Sequence, residues 1–121
     1  MKIPKNWTFH NKEVAQEFNT HVREQLPWYD LVTKAIIHIC RHYIPENGLV
    51  YDLGSSIGNI GNSLKQILKK RHCDFIGIEK SKEMFDLYNC KYGSIVNEDI
   101  KDYNYKNYDI AISFLTLMFI E

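Results

Sequence analysis

A glycine-containing turn directly after a short apolar segment is the part of this sequence best suited to chemistry. The segment 49–53 is apolar apart from Asp52, and its composition predicts a buried strand. A strand that runs through a glycine turn into a helix brings backbone N–H groups and a helix N-terminus beside a ligand at the carboxyl edge of a parallel sheet. The turn consists of Gly54, Ser55, Ser56, Ile57 and Gly58. It therefore predicts a cofactor site.

An acidic residue, Glu79, ends the next predicted strand, about 20 residues beyond the turn. A carboxylate at this place accepts hydrogen bonds from ribose hydroxyls in nucleotide-binding folds, so Glu79 is the candidate ribose ligand. The turn does not follow the dinucleotide pattern G-x-G-x-x-G, because Ser56 stands where the middle glycine would be. The alternative is an ordinary strand–helix turn, with the glycines serving geometry alone and Glu79 as an exposed acid at a helix start.

Hydrophobic periodicity predicts the elements that position this turn. Residues 9–43 read as helical, and Pro27 divides them into two helices. After turn residues at 45–48, the pattern predicts strands at 49–53, 74–79, 93–96 and 108–114 and helices at 60–71 and 81–88. Alternating strands and helices predict a parallel sheet. We expect one α/β domain over residues 1–121, with N-terminal helices at 9–44 and a βα core at 48–121.

The composition excludes several function classes. The 15 basic and 15 acidic residues balance, which gives no electrostatic signal for nucleic acid or for a membrane surface. The three cysteines show no C-x-x-C spacing, and this favours reduced thiols in a cytoplasmic protein. His38 and His42 lie one helical turn apart without the glutamate of H-E-x-x-H, so we predict no metal site.

Short motifs with uncommon residue choices are spread over the chain. They are W-T-F at residues 7–9, V-A-x-x-F at 14–18, P-W-Y at 27–29, Y-D-L-G-S-S-I-G at 51–58, I-E-K-S at 78–81, E-D-I at 98–100 and T-L-M-F-I-E at 116–121. Together they resemble the first half of the carboxy-S-adenosyl-L-methionine (carboxy-SAM) synthases, a branch of the class I S-adenosyl-L-methionine (SAM) methyltransferases. The resemblance implies a Rossmann-like class I methyltransferase fold, truncated after its fourth strand, with two N-terminal helices.

The resemblance also implies the ligand and the residues that bind it. The ligand would be SAM or S-adenosylhomocysteine (SAH), with carboxy-SAM binding no better because the family's carboxylate-binding residues lie in its second half. By resemblance, the carboxylate of Glu79 meets the ribose hydroxyls, Asp99 and Ile100 frame the adenine, Gly54 lies against the methionine moiety and Tyr29 covers the cofactor. The predicted cofactor-binding residues are Asp52, Gly54, Ser55, Ser56, Gly58, Glu79, Lys80, Asp99, Ile100, Tyr29 and Phe114.

Several of these residues have a structural alternative. Asp99 suits a turn as well as an adenine contact. Asp52 either meets the amino group of the methionine moiety or orients the glycine turn, and Tyr29 is either a lid or a core aromatic residue. Phe114 replaces an asparagine that the family carries after the fourth strand. The sequence assigns no catalytic residue.

The fourth predicted strand and the apolar tail after it predict a partner. In a monomer of this length the strand would form an open sheet edge, so we expect a homodimer or another protein to cover it. The alternatives are that the sequence is a fragment of a longer protein, or that the tail folds back as a helix on its own sheet. Three functions stay open. The chain is a SAM-dependent enzyme that works with a partner chain, a non-catalytic SAM-binding module, or an interaction protein that binds no cofactor.

Overall fold

The computed structural model describes residues 12–114. The W-T-F motif, the T-L-M-F-I-E motif and the predicted apolar tail lie outside the described residues, as do the side chains of the V-A-x-x-F motif. Within residues 12–114, no helix has the length and apolarity needed to cross a membrane.

Three helical segments precede the sheet, where the sequence predicts two helices. They are α1 (Lys12–Gln16), α2 (Phe18–Gln25) and α3 (Tyr29–Cys40). The break at Pro27 is confirmed, but the prediction of one continuous helix before it was wrong at Glu17. The backbone of Glu17, with φ −101° and ψ 8°, leaves the helical region, although its N–H still donates to the carbonyl of Glu13 at 3.1 Å. Because this hydrogen bond continues across the break, the interruption is a kink that periodicity does not detect.

The sheet has four parallel strands in the order β3-β2-β1-β4, as expected for a Rossmann-like half. Its strands are β1 (Leu49–Leu53), β2 (Asp74–Ile78), β3 (Ser94–Val96) and β4 (Ile110–Ser113), and the helices between them are α4 (Asn59–Lys70) and α5 (Lys82–Asp86). Asp52, near the end of β1, lies in register with Gly77 of β2 and Ile112 of β4. In this order the chain adds β2 and β3 on one side of β1 and then returns to add β4 on the other side, and open α/β sheets bind their ligands at such a switch point.

Helices α3 and α4 cover one face of the sheet. Helix α4 buries Ile60, Leu64 and Leu68 at i, i+4 and i+8, so one apolar stripe faces the strands. On the sheet side, Val50, Phe75 and Ile112 complete this cluster. Side chains of α3 and of the turn after it, including Cys40 and Ile44, close the cluster over β4.

A tyrosine cluster covers the other face beside β1. Tyr51 is fully buried, and the rings of Tyr103, Tyr105 and Tyr108 meet it edge-on at centroid distances of 5.7, 5.1 and 5.5 Å. The Tyr51 hydroxyl accepts a hydrogen bond from the backbone N–H of Lys106 at 3.1 Å. In the described chain, the connection from β3 to β4 contains no helix. A tyrosine-rich loop therefore connects these two strands, in agreement with the absence of a predicted helix between them.

The cysteines and histidines considered above as metal ligands are spread over several elements of the described chain. Cys40, Cys73 and Cys90 are buried free thiols. The rings of His38 and His42 meet edge-on at 5.2 Å on α3 and the turn after it. Among residues 12–114, no group of three His, Cys, Asp or Glu side chains is arranged to hold a metal ion.

We expect Tyr51→Ala to reduce the free energy of unfolding by about 3–5 kcal/mol, because it removes a fully buried aromatic ring. The matched control is Tyr43→Ala, whose ring is 71% exposed and whose loss should change stability by about 0.5 kcal/mol or less. Urea unfolding monitored by circular dichroism measures both. Equal effects of the two substitutions would contradict a packed tyrosine cluster.

Candidate cofactor site

The turn after β1 has an alternating left-handed backbone. Gly54, Ser56 and Gly58 have φ values of 72°, 57° and 104°. At Gly58, which precedes the first residue of α4, a Cβ atom would lie 3.0 Å from both the Cβ and the backbone nitrogen of Cys90. Glycine is therefore required at this position by both its dihedral angle and its surroundings.

The end of β2 holds this turn through three successive amides. The N–H groups of Gly54 and Ser55 donate to the carbonyl of Ile78 at 2.8 and 3.0 Å. The next N–H, that of Ser56, donates to Oε1 of Glu79 at 2.7 Å. The carboxylate of Glu79, the predicted ribose-binding residue, thus contacts the predicted glycine turn directly.

Glu79 lies in a fixed and nearly buried position. Its side chain is 9% exposed, and Oε2 accepts a hydrogen bond from the N–H of Ser81 at 2.9 Å. The backbone N–H of Glu79 donates to Val96 of β3 at 3.0 Å, and the amide of Asn97 donates to the Glu79 carbonyl at 2.8 Å. The alternative of an exposed acid is therefore wrong. Sequence reasoning missed Asn97, although its place directly after a strand marks it as a residue of the carboxyl edge.

Buried polar atoms without a hydrogen-bond partner surround the turn. They include Oδ2 of Asp52 and the hydroxyls of Ser55, Ser56 and Tyr88. A Cβ on Gly77, the neighbour of Asp52 across the strands, would lie 3.0 Å from Oγ of Ser55 and 3.5 Å from the Tyr88 hydroxyl. Buried polar groups in native proteins are nearly always satisfied, so these groups indicate a place where a polar ligand or water binds.

The electrostatics of this edge are dominated by two acids. Burial, reinforced by the nearby negative charge of Glu79, raises the pKa of Asp52 from 3.8 to about 7. Burial also raises the pKa of the Tyr88 hydroxyl, with further contributions from Cys90 and Asp52. A cationic group placed beside Asp52 would relieve both the desolvation of its carboxylate and its repulsion from Glu79.

Tyr29 and Phe114 meet above the crevice between β1 and β4. Their rings stack at a centroid distance of 5.1 Å, and Tyr29 is 5% exposed. The Tyr29 hydroxyl accepts a hydrogen bond from the amide of Asn59 at 3.2 Å, which ties it to the start of α4. Tyr29 also packs with Val22 and Ile57 in a small apolar cluster over the turn. This position suits a cover for the crevice, and it also makes Tyr29 a packed aromatic residue of the N-terminal helices.

Lys80, Asp99 and Ile100 form a separate group on the β3 side. Oδ1 of Asp99 accepts a hydrogen bond from the Lys101 N–H at 2.9 Å, and Oδ2 pairs with the Lys80 ammonium at 3.3 Å. These contacts, that with the Lys101 N–H first, lower the pKa of the Asp99 carboxyl. The carbonyl of Ile100 accepts from the Tyr105 hydroxyl at 2.7 Å. The turn role of Asp99 is therefore present, and its contact with adenine stays a prediction.

The predicted site residues thus fall into three groups along the carboxyl edge of the sheet. The central group is at the turn and the end of β2, one flanking group follows β3, and the other lies over β4. The central group is Asp52, Gly54, Ser55, Ser56, Gly58 and Glu79. A cavity of about 670 Å³ lies beside the turn, lined by Ile57, by Asn59 of α4 and by residues of α2.

The chain is similar in sequence to curated carboxy-S-adenosyl-L-methionine synthases. It is 38% identical over 124 residues to that of Staphylococcus epidermidis, covering 97% of this chain and 53% of the relative. It is 30% identical over 118 residues to that of Desulfotalea psychrophila, covering 91% and 48%. The chain therefore spans about half the length of these relatives. No protein-family model matches it.

Solved structures share the fold. A proposed S-adenosyl-L-methionine-dependent methyltransferase from Methanococcus maripaludis matches with a TM-score of 0.69 at 19% identity, over 99% of this chain and 57% of that one. The plantazolicin methyltransferase BpumL in complex with SAH matches with a TM-score of 0.55 at 18% identity, over 84% and 45%. At these identities the similarity establishes the fold alone.

We expect Asp52→Asn to stabilise the protein more at pH 8 than at pH 5. The folded chain holds a proton on Asp52 up to about pH 7, whereas the unfolded chain releases it near 3.8, so wild-type stability falls between these values. Asparagine removes this loss, which is on the order of a few kcal/mol at pH 8. Urea unfolding at both pH values measures it, with the exposed carboxyl of Asp74 as control (Asp74→Asn). A pH-independent difference would contradict the raised pKa.

Proposed function

Since the chain is related by sequence to the carboxy-S-adenosyl-L-methionine synthases over about half of their length, we propose that it binds SAM or SAH at the carboxyl edge of its sheet. The main support for this proposal is the hydrogen bond between the glycine turn and the buried carboxylate of Glu79. Two turns meet at this carboxylate, beside the crevice in which open α/β sheets bind their ligands.

The residues around the turn fit the functional groups of such a ligand. Each oxygen of Glu79 accepts a backbone N–H, and a carboxylate oxygen can accept a second hydrogen bond, such as that of a ribose hydroxyl. The unpartnered Oδ2 of Asp52 suits the ammonium of the methionine moiety, because a cation there favours the ionised carboxylate. Tyr29 and Phe114 would exclude water from the bound ligand.

Methyl transfer is the reaction that this site would serve. SAM supplies a methyl group already activated by its sulfonium, so binding and orientation account for most of the catalysis. In our proposal the chain holds the cofactor through Glu79 and the glycine turn, and the methyl acceptor is bound with the help of a partner chain. The cavity beside Ile57 offers space next to the turn.

Carboxy-SAM is the less favoured ligand. It carries one more carboxylate than SAM, and the central group of the site contains two acids, Asp52 and Glu79, and no basic side chain that could pair with it. We therefore expect ligand carried through purification, identified by mass spectrometry, to be SAM or SAH. Recovered carboxy-SAM would favour a synthase-like function.

We expect isothermal titration with SAH to show binding that Glu79→Ala weakens by about 2 kcal/mol, or roughly thirtyfold, because charge-assisted hydrogen bonds are lost. The control is Glu46→Ala, an exposed acid in the turn before β1, which should leave the affinity unchanged. The absence of both binding heat and a thermal shift with SAM and SAH would contradict the proposal and favour an interaction protein.

A second candidate function is protein association, and the open side of β4 favours it. Among the described residues β4 pairs with β1 alone, and its residues Ala111 and Ser113 are exposed. Leu31 and Ile39 on the outer side of α3 are 70% and 57% exposed. Unpaired strand edges beside apolar surface promote association. We propose a homodimer through β4, or a protein partner bound there.

We expect light scattering at micromolar concentration to give the mass of a dimer, and Ala111→Arg or Ile39→Asp to give that of a monomer. A charge buried in an interface without a partner is unfavourable. Lys65→Ser, on the exposed side of α4, should leave the mass unchanged. If wild type and variants are all monomers, β4 is not an association surface of this chain.

A further inference from the structure

The carboxylate of Glu79 connects two turns that the strands alone leave apart. Its Oε1 accepts from Ser56 in the turn after β1, and its Oε2 accepts from Ser81, which caps α5. Both distances, 2.7 and 2.9 Å, are those of charge-assisted hydrogen bonds. The side chain that would receive a ribose therefore also accepts two backbone hydrogen bonds from the protein itself.

The hydrogen bond from Ser56 to Glu79 is made by a residue whose backbone conformation is unfavourable. Ser56 has φ 57°, a left-handed conformation that is unfavourable for a residue with a Cβ atom. The carbonyl of Ile78 already accepts from two turn amides, those of Gly54 and Ser55. The carboxylate of Glu79 provides the acceptor for the third amide of the turn, that of Ser56.

Side-chain length decides whether this third contact forms. The Glu79 backbone is fixed by its own N–H bond to Val96 and by the Asn97 amide on its carbonyl. An aspartate at this position would start from the same fixed backbone with one methylene less. The carboxylate would then fall short of Ser56, while still standing at the carboxyl edge of β2.

We propose that Glu79 is a positioning residue that holds the glycine turn in its ligand-accepting conformation before any ligand arrives, and that its length is what makes this possible. The ligand is SAM or SAH, so the biological role of this residue rests on the proposed function. The hydrogen bond is tested without it. A carboxylate oxygen can accept more than one hydrogen bond, so the same side chain can contact both the turn and a vicinal diol.

The test is amide hydrogen exchange, measured by NMR on the ligand-free protein. In Glu79→Asp the Ser56 amide should exchange about tenfold faster or more, because its acceptor is out of reach. The Gly54 amide, bound to the Ile78 main chain, is the internal reference and should be unchanged. Glu46→Asp shortens an exposed acid and is the matched control variant.

Glu79→Gln separates length from charge. Glutamine keeps the reach but has a single acceptor oxygen, so the amide of either Ser56 or Ser81 should stay protected. Its SAH affinity should exceed that of Glu79→Ala. If Glu79→Asp leaves the Ser56 amide protected, or if Glu79→Gln exposes both amides as fully as alanine does, the role of length is overturned.

The two proposals fail in different ways. Normal exchange in Glu79→Asp together with tight SAH binding would overturn the positioning role and leave the proposed function intact. Faster exchange in Glu79→Asp with no SAH binding to the wild type would overturn the proposed function and leave the positioning role. A selective loss at Ser56, with the melting temperature held by the remaining contacts, would also exclude general destabilisation as the cause.

Discussion

The turn after β1 must place three left-handed residues within five positions, and the end of β2 supplies the acceptors that hold it. Gly54 and Gly58 adopt this conformation without a steric penalty, but Ser56 does not. The register of β1 with β2 brings Ile78 beside Leu53, so the acceptors stand where the turn begins. Parallel pairing of these two strands is thus the condition on which the site depends, and the cores on either face of the sheet serve to maintain it.

The buried acid Asp52 lowers the stability of the fold. Asp52 is buried with an unpartnered oxygen and a pKa raised to about 7, which disfavours the folded state wherever its carboxylate is charged. An apolar residue in the same place would pack with Val50 and Ile112 at no such cost. Retaining an acid there is understandable if a cation of a ligand offsets the cost, as strained or unsatisfied groups at functional sites commonly require.

The local hydrophobic pattern predicts the helices and strands well. For β1, the predicted limits are the observed ones. The strand order and the place of the glycine turn were also predictable, because alternating strands and helices permit few topologies. The kink at Glu17 and the tyrosine loop were not, since they depend on contacts rather than period. The spacing of Tyr103, Tyr105 and Tyr108 is a signal only once Tyr51 is known to face them.

The same distinction between local sequence pattern and tertiary contacts applies to the candidate site. Glycine spacing and the acid at the end of β2 identify the central residues, because their roles follow from chain geometry. Sequence cannot tell that Asp99 already binds the Lys101 N–H and the Lys80 ammonium, or that both oxygens of Glu79 already accept backbone donors. These contacts are made with other groups of the folded protein, and a bound ligand would have to accommodate them. An adenine near Asp99 would have to share that carboxylate with a lysine and a backbone N–H, and a ribose at Glu79 would have to share its carboxylate with two backbone donors. In the proposed function, each of these contacts would therefore add a ligand to a carboxylate that already binds other groups of the protein.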